Sequence, residues 1–365
     1  MGPTCVLGLR CANAAGMIKT LPTNGESEPD SFTKEKSKMK ILVTGGAGYV
    51  GSHAARLLDR AGHDVWIYDS LVYGHRGAAL PGKLIEGDLM DQAKLESVLK
   101  EKQIEAVMHF AAFAYVGESV VKPHKYYQNN IVATLSLLEA MRSVGVDRIV
   151  FSSTTATYGE PHKIPITESE RQEPINPYGF SKLVIEHALA DYAHAYGWGY
   201  AALRYFNASG ASPDGDIGED HDPETHLIPL VLQVALGQRD NITVFGSDYP
   251  TPDGTCIRDY IHVDDLGSAH VKALELLKAG EGLKLNLGTG RGTSVREIID
   301  ACRKVTGHPI PEVAGERRPG DPPELVADSS LAQKTLDWTP QYMDIESIVE
   351  TAWRWHQSHP QGYVS

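Results

Sequence analysis

The sequence predicts an α/β protein: a doubly wound parallel sheet with helices on both faces, followed by a second, smaller α/β lobe. Three observations carry this. Short β-branched runs alternate with amphipathic helical windows from Met39 onward. Most of those runs are apolar on both faces, as strands covered on both sides must be. After Asn207 the elements shorten and Pro and Gly increase, as in the turn-rich stretch Ala211-Ser-Pro-Asp-Gly-Asp-Ile-Gly.

The strands read in order as Lys40–Thr44, Asp64–Asp69, Lys83–Asp88, Ala106–Phe110, Arg148–Ser152 and Ala201–Phe206. Between them lie helical windows at Ser52–Arg60 (closed by Gly62), Gln92–Lys102, His124–Val144 and Tyr178–Tyr196. Residues 39–207 therefore form one α/β unit and 208–365 the smaller lobe, part of which is expected to return to the large sheet. Residues 1–38 have no apolar period, and Asn24-Gly-Glu-Ser-Glu-Pro-Asp-Ser reads as a disordered extension.

At 365 residues the chain is long enough for two lobes, and its 42% hydrophobic and 22% charged composition is that of a globular protein. A formal charge of −13 excludes non-specific binding to nucleic acid or to an anionic membrane. An anionic substrate would have to meet a local cluster of Arg or Lys. No apolar run approaches the roughly 18–20 residues of a membrane helix. The four cysteines, Cys5, Cys11, Cys256 and Cys302, show no paired spacing, and a reducing cytoplasm is the expected location.

Thr44-Gly-Gly-Ala-Gly-Tyr-Val-Gly51 lies between a strand and a helix. Gly45 suits the tight turn, Gly48 close approach of a pyrophosphate, and Gly51 helix–sheet packing, the arrangement of a Rossmann-type dinucleotide site. Asp69 ends the next strand 18 residues after Gly51, where a carboxylate binds ribose hydroxyls and repels the extra phosphate of NADP. NAD is the expected cofactor. Asp88 stands after the third strand, facing the adenine. Phe110-Ala-Ala-Phe-Ala114, after the fourth, offers small residues where backbone passes close to cofactor.

Tyr178 and Lys182 share one helix face, with Asn176-Pro177 as cap and first turn. Among 16 tyrosines, one Tyr-x-x-x-Lys is expected by chance, so position decides. This one follows the fifth strand, whose end carries Ser152-Ser-Thr154, a hydroxyl able to relay a proton. A tyrosine is a poor base at its ordinary pKa near 10. A neighbouring ammonium and a positive nicotinamide are expected to pull it down.

Together, the glycine-rich turn, strand-end hydroxyl and Tyr-x-x-x-Lys resemble the extended short-chain dehydrogenase/reductases. Further segments narrow the resemblance to the UDP-glucose 4-epimerases: Val116-Gly-Glu-Ser119, Tyr126-Tyr-Gln-Asn-Asn130, Pro177-Tyr-Gly-Phe-Ser-Lys182, Leu203-Arg-Tyr-Phe-Asn207, Arg258-Asp-Tyr-Ile-His262 and Arg317-Arg-Pro-Gly-Asp321. The resemblance implies a homodimeric isomerase, inverting carbon 4 of a UDP-hexose with tightly held NAD. It places Thr154, Tyr178 and Lys182 as hydroxyl, base and lysine. Besides the glycines it implies NAD contacts at Tyr49, Val50, Asp69, Asp88 and Leu89. Phe110, Ala111, Ala112, Ala114 and Asn129 continue that set, with Phe206 near the nicotinamide. For the UDP-sugar it implies Asn207, His226, Leu227 and Phe245, with Arg258, Arg318 and Asp321; guanidinium forks suit a diphosphate.

Two departures bear on chemistry. Thr154 replaces a frequent Ser but keeps the hydroxyl, and His226 replaces a frequent Asn. Leu325 lies where the family sets pocket size, which leaves epimerases of UDP-xylose/UDP-arabinose or UDP-N-acetylhexosamines as alternatives. A dehydratase would need an Asp-Glu pair where Thr155-Ala156 stands. His221, Asp222, Glu224 and His226 show no familiar zinc spacing, and no metal is expected.

Overall fold

A computed structural model describes residues 38–318 and 321–363. The expectation of disorder over residues 1–37 lies outside these, as do Cys5 and Cys11. The strands are β1 (Lys40–Thr44), β2 (Asp64–Asp69), β3 (Leu84–Glu86), β4 (Ala106–His109), β5 (Arg148–Thr154) and β6 (Gly199–Tyr205). After them come β7 (Asn207–Ser209), β8 (Ile242–Phe245), β9 (Ile257–His262), β10 (Gly282–Leu287), β11 (Gly292–Ser294), β12 (Glu312–Gly315) and β13 (Glu324–Leu325).

Seven of these form one sheet in the order β3-β2-β1-β4-β5-β6-β10, every neighbouring pair parallel. The alternation of side chains along each strand builds two cores. Ile41, Val43, Ile67 and Met108 face Ala54, Leu58, Leu266 and Ala273, from the helices Tyr49–Arg60 and Val263–Leu276. Leu42, Val107 and Phe151 face the other way, onto Leu95, Leu137, Met141 and Leu189 of three further helices. A one-residue slip would exchange the faces, so burial on both sides sets the register.

The order reverses between β1 and β4, where Thr44 lies level with His109. Loops from the ends of these two strands diverge there, opening the crevice in which open α/β sheets bind ligands. After β6 the chain leaves the sheet. β9 gathers β7, β11 and β13 into a small sheet, and β8 pairs with β12. A third core centred on Ile228, Val231, Ile298, Ile348 and Trp353 fills this region. β10 returns to the edge of the large sheet beside β6.

The helical window read from His124 to Val144 is more elaborate. Pro123–Tyr126 and Ala133–Val144 are α-helical, but Tyr127–Val132 between them is a wider π-helical turn. The wide turn swings Asn130 inward: its amide accepts from the Phe113 N–H at 2.9 Å and donates to the Phe113 carbonyl at 3.0 Å and to Ser181 Oγ at 3.1 Å. A period of 3.6 residues in the sequence carries no sign of such a turn.

Helix Pro177–Tyr196 is locked to the sheet by a buried ion pair. Arg204 on β6 gives Nε to Glu186 Oε1 at 2.9 Å, and Nη2 to Oε2. Ser153 on β5 donates to the same carboxylate at 2.5 Å. Nη1 of Arg204 reaches Tyr158 Oη at 2.7 Å, which donates to Asn286 on β10 at 2.7 Å. The two side chains are 2% and 0% exposed, so neither charge has water as an alternative partner.

Burial alone would raise the Glu186 carboxyl, but Arg204 and the Ser153 and Gln172 hydrogen bonds hold it below its ordinary 4.5. A depressed carboxylate stabilises the fold fully above its unfolded pKa, and that contribution is lost as pH falls through the folded value. Glu186→Gln is expected to cost about 3–5 kcal/mol by urea unfolding at pH 7, since it strands Arg204 without its counter-charge. The penalty should shrink as pH is lowered below about 4.5; a penalty constant with pH would contradict this assignment.

Candidate active site and dinucleotide crevice

The turn after β1 is shaped by what its glycines touch. Gly45 has φ +74°, and a Cβ there would stand 2.4 Å from Ala111 N, so the loops after β1 and β4 pack backbone to backbone. A Cβ on Gly51 would lie 2.2 Å from the Gly45 carbonyl, which requires glycine for the helix to start here. Gly48 differs: a Cβ there would meet only Gly45 O, at 3.4 Å. Helix Tyr49–Arg60 begins with no side-chain cap, leaving first-turn N–H groups to an anion.

Asp69, at the end of β2, is buried. It accepts from Ala47 N at 3.0 Å and Leu71 N at 2.8 Å. Burial pushes its carboxyl up, against the pull of these two bonds. Two lone pairs remain for a diol. Asp88 is exposed and caps the turn to Met90 N at 2.8 Å, while Leu89 beside it is buried. Tyr49 donates to Gly210 O at 2.7 Å. Val50 is half-buried against the first core. Phe110 lies against His270 with ring centroids 4.8 Å apart. Ala111 and Ala112 are partly buried and Ala114 is exposed. Asn129 donates to Asn130 Oδ1 at 3.0 Å. A glycine cradle, an uncapped helix and a buried acid suit the turn, pyrophosphate and ribose of a dinucleotide.

Tyr178 opens its helix as the spacing predicts, with Asn176 Oδ1 accepting from Gly179 N at 2.8 Å and Pro177 in the first turn. Thr154, the last residue of β5, stands beside the Tyr178 phenol, where its hydroxyl favours the ionised form. Lys182 Nζ donates to Ser152 O at 2.8 Å and lies 4.8 Å from the Phe151 ring centroid. Ser152 Oγ meets Tyr205 Oη at 2.6 Å.

The electrostatics depart from the expectation of a lowered phenol. Burial pushes Tyr178 up to about 12, and the Thr154 hydroxyl only partly opposes it. Burial pushes Lys182 down to about 7, against the pull of Glu186. Desolvation dominates both groups, and the Lys182 ammonium spends a hydrogen bond on the Ser152 carbonyl. The protein's own groups leave the phenol protonated at neutral pH.

In the second region, Asn207 on β7 donates to Asp259 O at 3.2 Å, with Phe206 half-buried just before it. Arg258 on β9 pairs with Asp321 and donates to Ile257 O at 2.7 Å. Leu325 on β13 stands level with Arg258. Arg318 lies over the Phe245 ring at 4.3 Å. Arg318 and Asp321 line a cavity of about 530 Å³ with Tyr249, Arg317 and Glu324. Leu227 starts the helix Leu227–Ala235, and His226 just before it turns Nδ1 to Glu219 at 2.8 Å and Glu224 at 3.1 Å. His226 is thus held by two acids.

Residues 41–288 match the model of the NAD dependent epimerase/dehydratase family. The chain belongs to the NAD dependent epimerase/dehydratase family. It is 53% identical over 326 residues to the UDP-glucose 4-epimerase of Halalkalibacterium halodurans, covering 89% of this chain and 98% of that one. The crystal structure of UDP-glucose 4-epimerase from Brucella ovis in complex with NAD matches with a TM-score of 0.84 and 54% identity, covering 86% of this chain and 97% of that chain. The enzyme from Bifidobacterium longum in complex with NAD+ and UDP matches with a TM-score of 0.85 and 40% identity, covering 89% and 100%.

Sequence reasoning missed several residues of this epimerase/dehydratase site. Asn130 appeared only within a family segment, yet it clamps the loop after β4. The Ser152 carbonyl is backbone and carries no sequence signal. Glu186 had one usable sign, a carboxylate one helical turn beyond Lys182. Glu219, buried beside His221 and His226, had none.

Since Gly48 has room for a Cβ where a pyrophosphate would approach, Gly48→Ala is expected to fold normally and hold NAD at least about tenfold less tightly, a loss of about 1.4 kcal/mol. Gly51→Ala, which collides with backbone, is expected to lose both NAD and thermal stability. NAD released on acid denaturation, measured beside a thermal melt, separates the two.

Proposed function

We infer that the chain interconverts UDP-glucose and UDP-galactose by transient oxidation at carbon 4 with tightly held NAD. The observation that carries the reading is the Tyr178 phenol beside the strand-end Thr154 hydroxyl, in a chain about half identical to UDP-glucose 4-epimerases along most of its length. Tyr178 is the base for the 4-hydroxyl proton, and Thr154 shares that proton's path to the sugar oxygen. Lys182 carries the charge that favours phenolate once the site is filled. The chemistry that bound NAD supplies is reversible acceptance of hydride from carbon 4, beside a positively charged ring.

Gly45, Gly48, Tyr49, Val50 and Gly51 bind the pyrophosphate end in this reading. Asp69, Asp88 and Leu89 take the adenosine. Phe110, Ala111, Ala112, Ala114, Asn129 and Phe206 line the passage to the nicotinamide. Arg258 and Arg318 hold the diphosphate, with Asn207, His226, Leu227, Phe245 and Asp321 around the nucleotide. Firm nucleotide contacts beside sparse sugar contacts let the 4-keto sugar turn over before it is reduced from its other face. Leu325 limits the sugar pocket.

Tyr178→Phe is expected to lower kcat by about 10²–10⁴-fold while bound NAD remains. The assay is conversion of UDP-galactose to UDP-glucose with no NAD added. More than about one per cent residual activity would remove Tyr178 from the role of base. A panel including UDP-xylose and UDP-N-acetylhexosamines, run on wild type and Leu325→Ala, tests the pocket: the smaller side chain should gain activity on the N-acetyl sugars.

A homodimer fits the helical stretch 123–144 and the helix Pro177–Tyr196, which leave Tyr127, Leu135, Phe180 and Tyr196 exposed. Leu135→Glu with Phe180→Glu should convert a dimer to a monomer by light scattering; an unchanged mass would move the interface elsewhere. A reducing cytoplasmic location fits Cys256 and Cys302, both free and buried. No helix among the described residues is long and apolar enough to cross a membrane.

A further inference from the structure

His221, Glu224 and His226 lack a zinc-like spacing in sequence, but the fold adds Glu219 to them. One ligand atom from each of the four residues lies within 4.8 Å of every other. His226 Nδ1 is 2.8 Å from Glu219 Oε1 and 3.1 Å from Glu224 Oε1. His221 Nδ1 is 3.3 Å from Glu219 Oε1 and 3.6 Å from Glu224 Oε2. Four ligands on a tetrahedral ion, with bonds of about 2.0–2.2 Å, stand about 3.3 Å apart. The histidine–carboxylate contacts, 2.8 to 3.6 Å, bracket that value, with Glu224 meeting His226 through Oε1 and His221 through Oε2.

Most of the contacts are poor as hydrogen bonds. His226 Nδ1 hydrogen-bonds Glu224 Oε1 at 3.1 Å, while its shorter contact, to Glu219, lacks hydrogen-bond geometry. Glu219 Oε1 and His221 Nδ1 are buried and neither makes a hydrogen bond. Glu219 is only 5% exposed, so no solvent relieves its oxygen. Glu224 is preset from behind: its Oε1 accepts the N–H of Thr225 at 2.7 Å and of His226 at 2.8 Å, leaving Oε2 toward His221. Backbone support of a ligating carboxylate in this manner is a usual part of a metal site. Two carboxylates and two imidazoles converge on one point, a set whose negative charge is balanced either by bound protons or by a shared cation.

We propose that Glu219, His221, Glu224 and His226 form a structural site for one divalent ion of the zinc class. Two imidazoles and two carboxylates are a borderline-soft, tetrahedral set that suits zinc better than calcium or magnesium. Two carboxylates balance the ion's charge when both histidines are neutral. A polar cavity of about 340 Å³, lined by Glu219, His221, Glu224 and His356 among others, provides entry. The ion fixes the loop ahead of helix Leu227–Ala235. It also holds His226 by Nδ1, leaving Nε2 as that ring's other polar atom for the nucleotide. Tyr49, whose ring lies edge-on to His221 at 6.2 Å, ties the cluster to the start of the glycine-rich helix.

The test needs no turnover. Full-length protein purified without a metal-binding tag is expected to carry about one zinc per chain by elemental analysis. After chelation, cobalt(II) should restore the intense visible absorption of a tetrahedral complex. X-ray absorption at the zinc edge should read nitrogen and oxygen neighbours only. Glu219→Gln and His221→Gln should each weaken cobalt binding by more than the roughly 10–100-fold that losing a supporting contact costs, while retained NAD reports that the variants fold. Absence of both zinc and the cobalt band from wild type overturns the proposal, leaving a closed set of His–Glu ion pairs. So does a sulfur shell, or a cobalt band that persists in both variants.

Discussion

The site depends on a charge pair buried beneath it. Glu186 and Arg204, both out of reach of water, bind helix Pro177–Tyr196 to β6 and, through Ser153, to β5. Tyr178 and Lys182 ride on that helix and Thr154 on the end of β5. The placing of phenol against hydroxyl is therefore set by Glu186, about two turns along the helix from Tyr178, and by Ser153, next to Thr154. Apolar packing would hold the helix as firmly but would let it slide. A forked guanidinium on a two-oxygen carboxylate allows one position.

How much of this could be read from the residues varies with how local the cause is. The strands at Lys40–Thr44 and Asp64–Asp69 were legible to the residue, because buried β-branched runs end abruptly at Gly and Asn/Asp turns. The glycine turn and Tyr-x-x-x-Lys were legible because each needs a fixed spacing within one strand–helix unit. The Glu186–Arg204 pair was not, since it joins residues on separate elements and each alone reads as surface. Nor was the wide turn at Tyr127–Val132, because its cause is the Asn130 bond to a loop 17 residues away. The convergence of Glu219 with His221, Glu224 and His226 likewise comes from how a turn-rich loop folds back, which periodicity does not address.

The charge state of the phenol shows a different limit. Composition and spacing place a lysine and a tyrosine on one helix face, from which a lowered phenol is expected. The outcome depends on how dry the site is. Burial moves Tyr178 and Lys182 toward their neutral forms, so the pair is quiet until further positive charge enters the crevice.

The wide turn stores positional information in a residue count. Within residues 123–144 one residue more than a regular helix needs rotates everything on its N-terminal side by about 100° relative to its C-terminal side. Asn130 reaches Phe113 only because of that rotation. Deleting a single residue here would leave a smoother, better-bonded helix and a binding loop that had lost its anchor. Homologues that look most regular over this stretch would then be the ones whose loop must be tethered by other means.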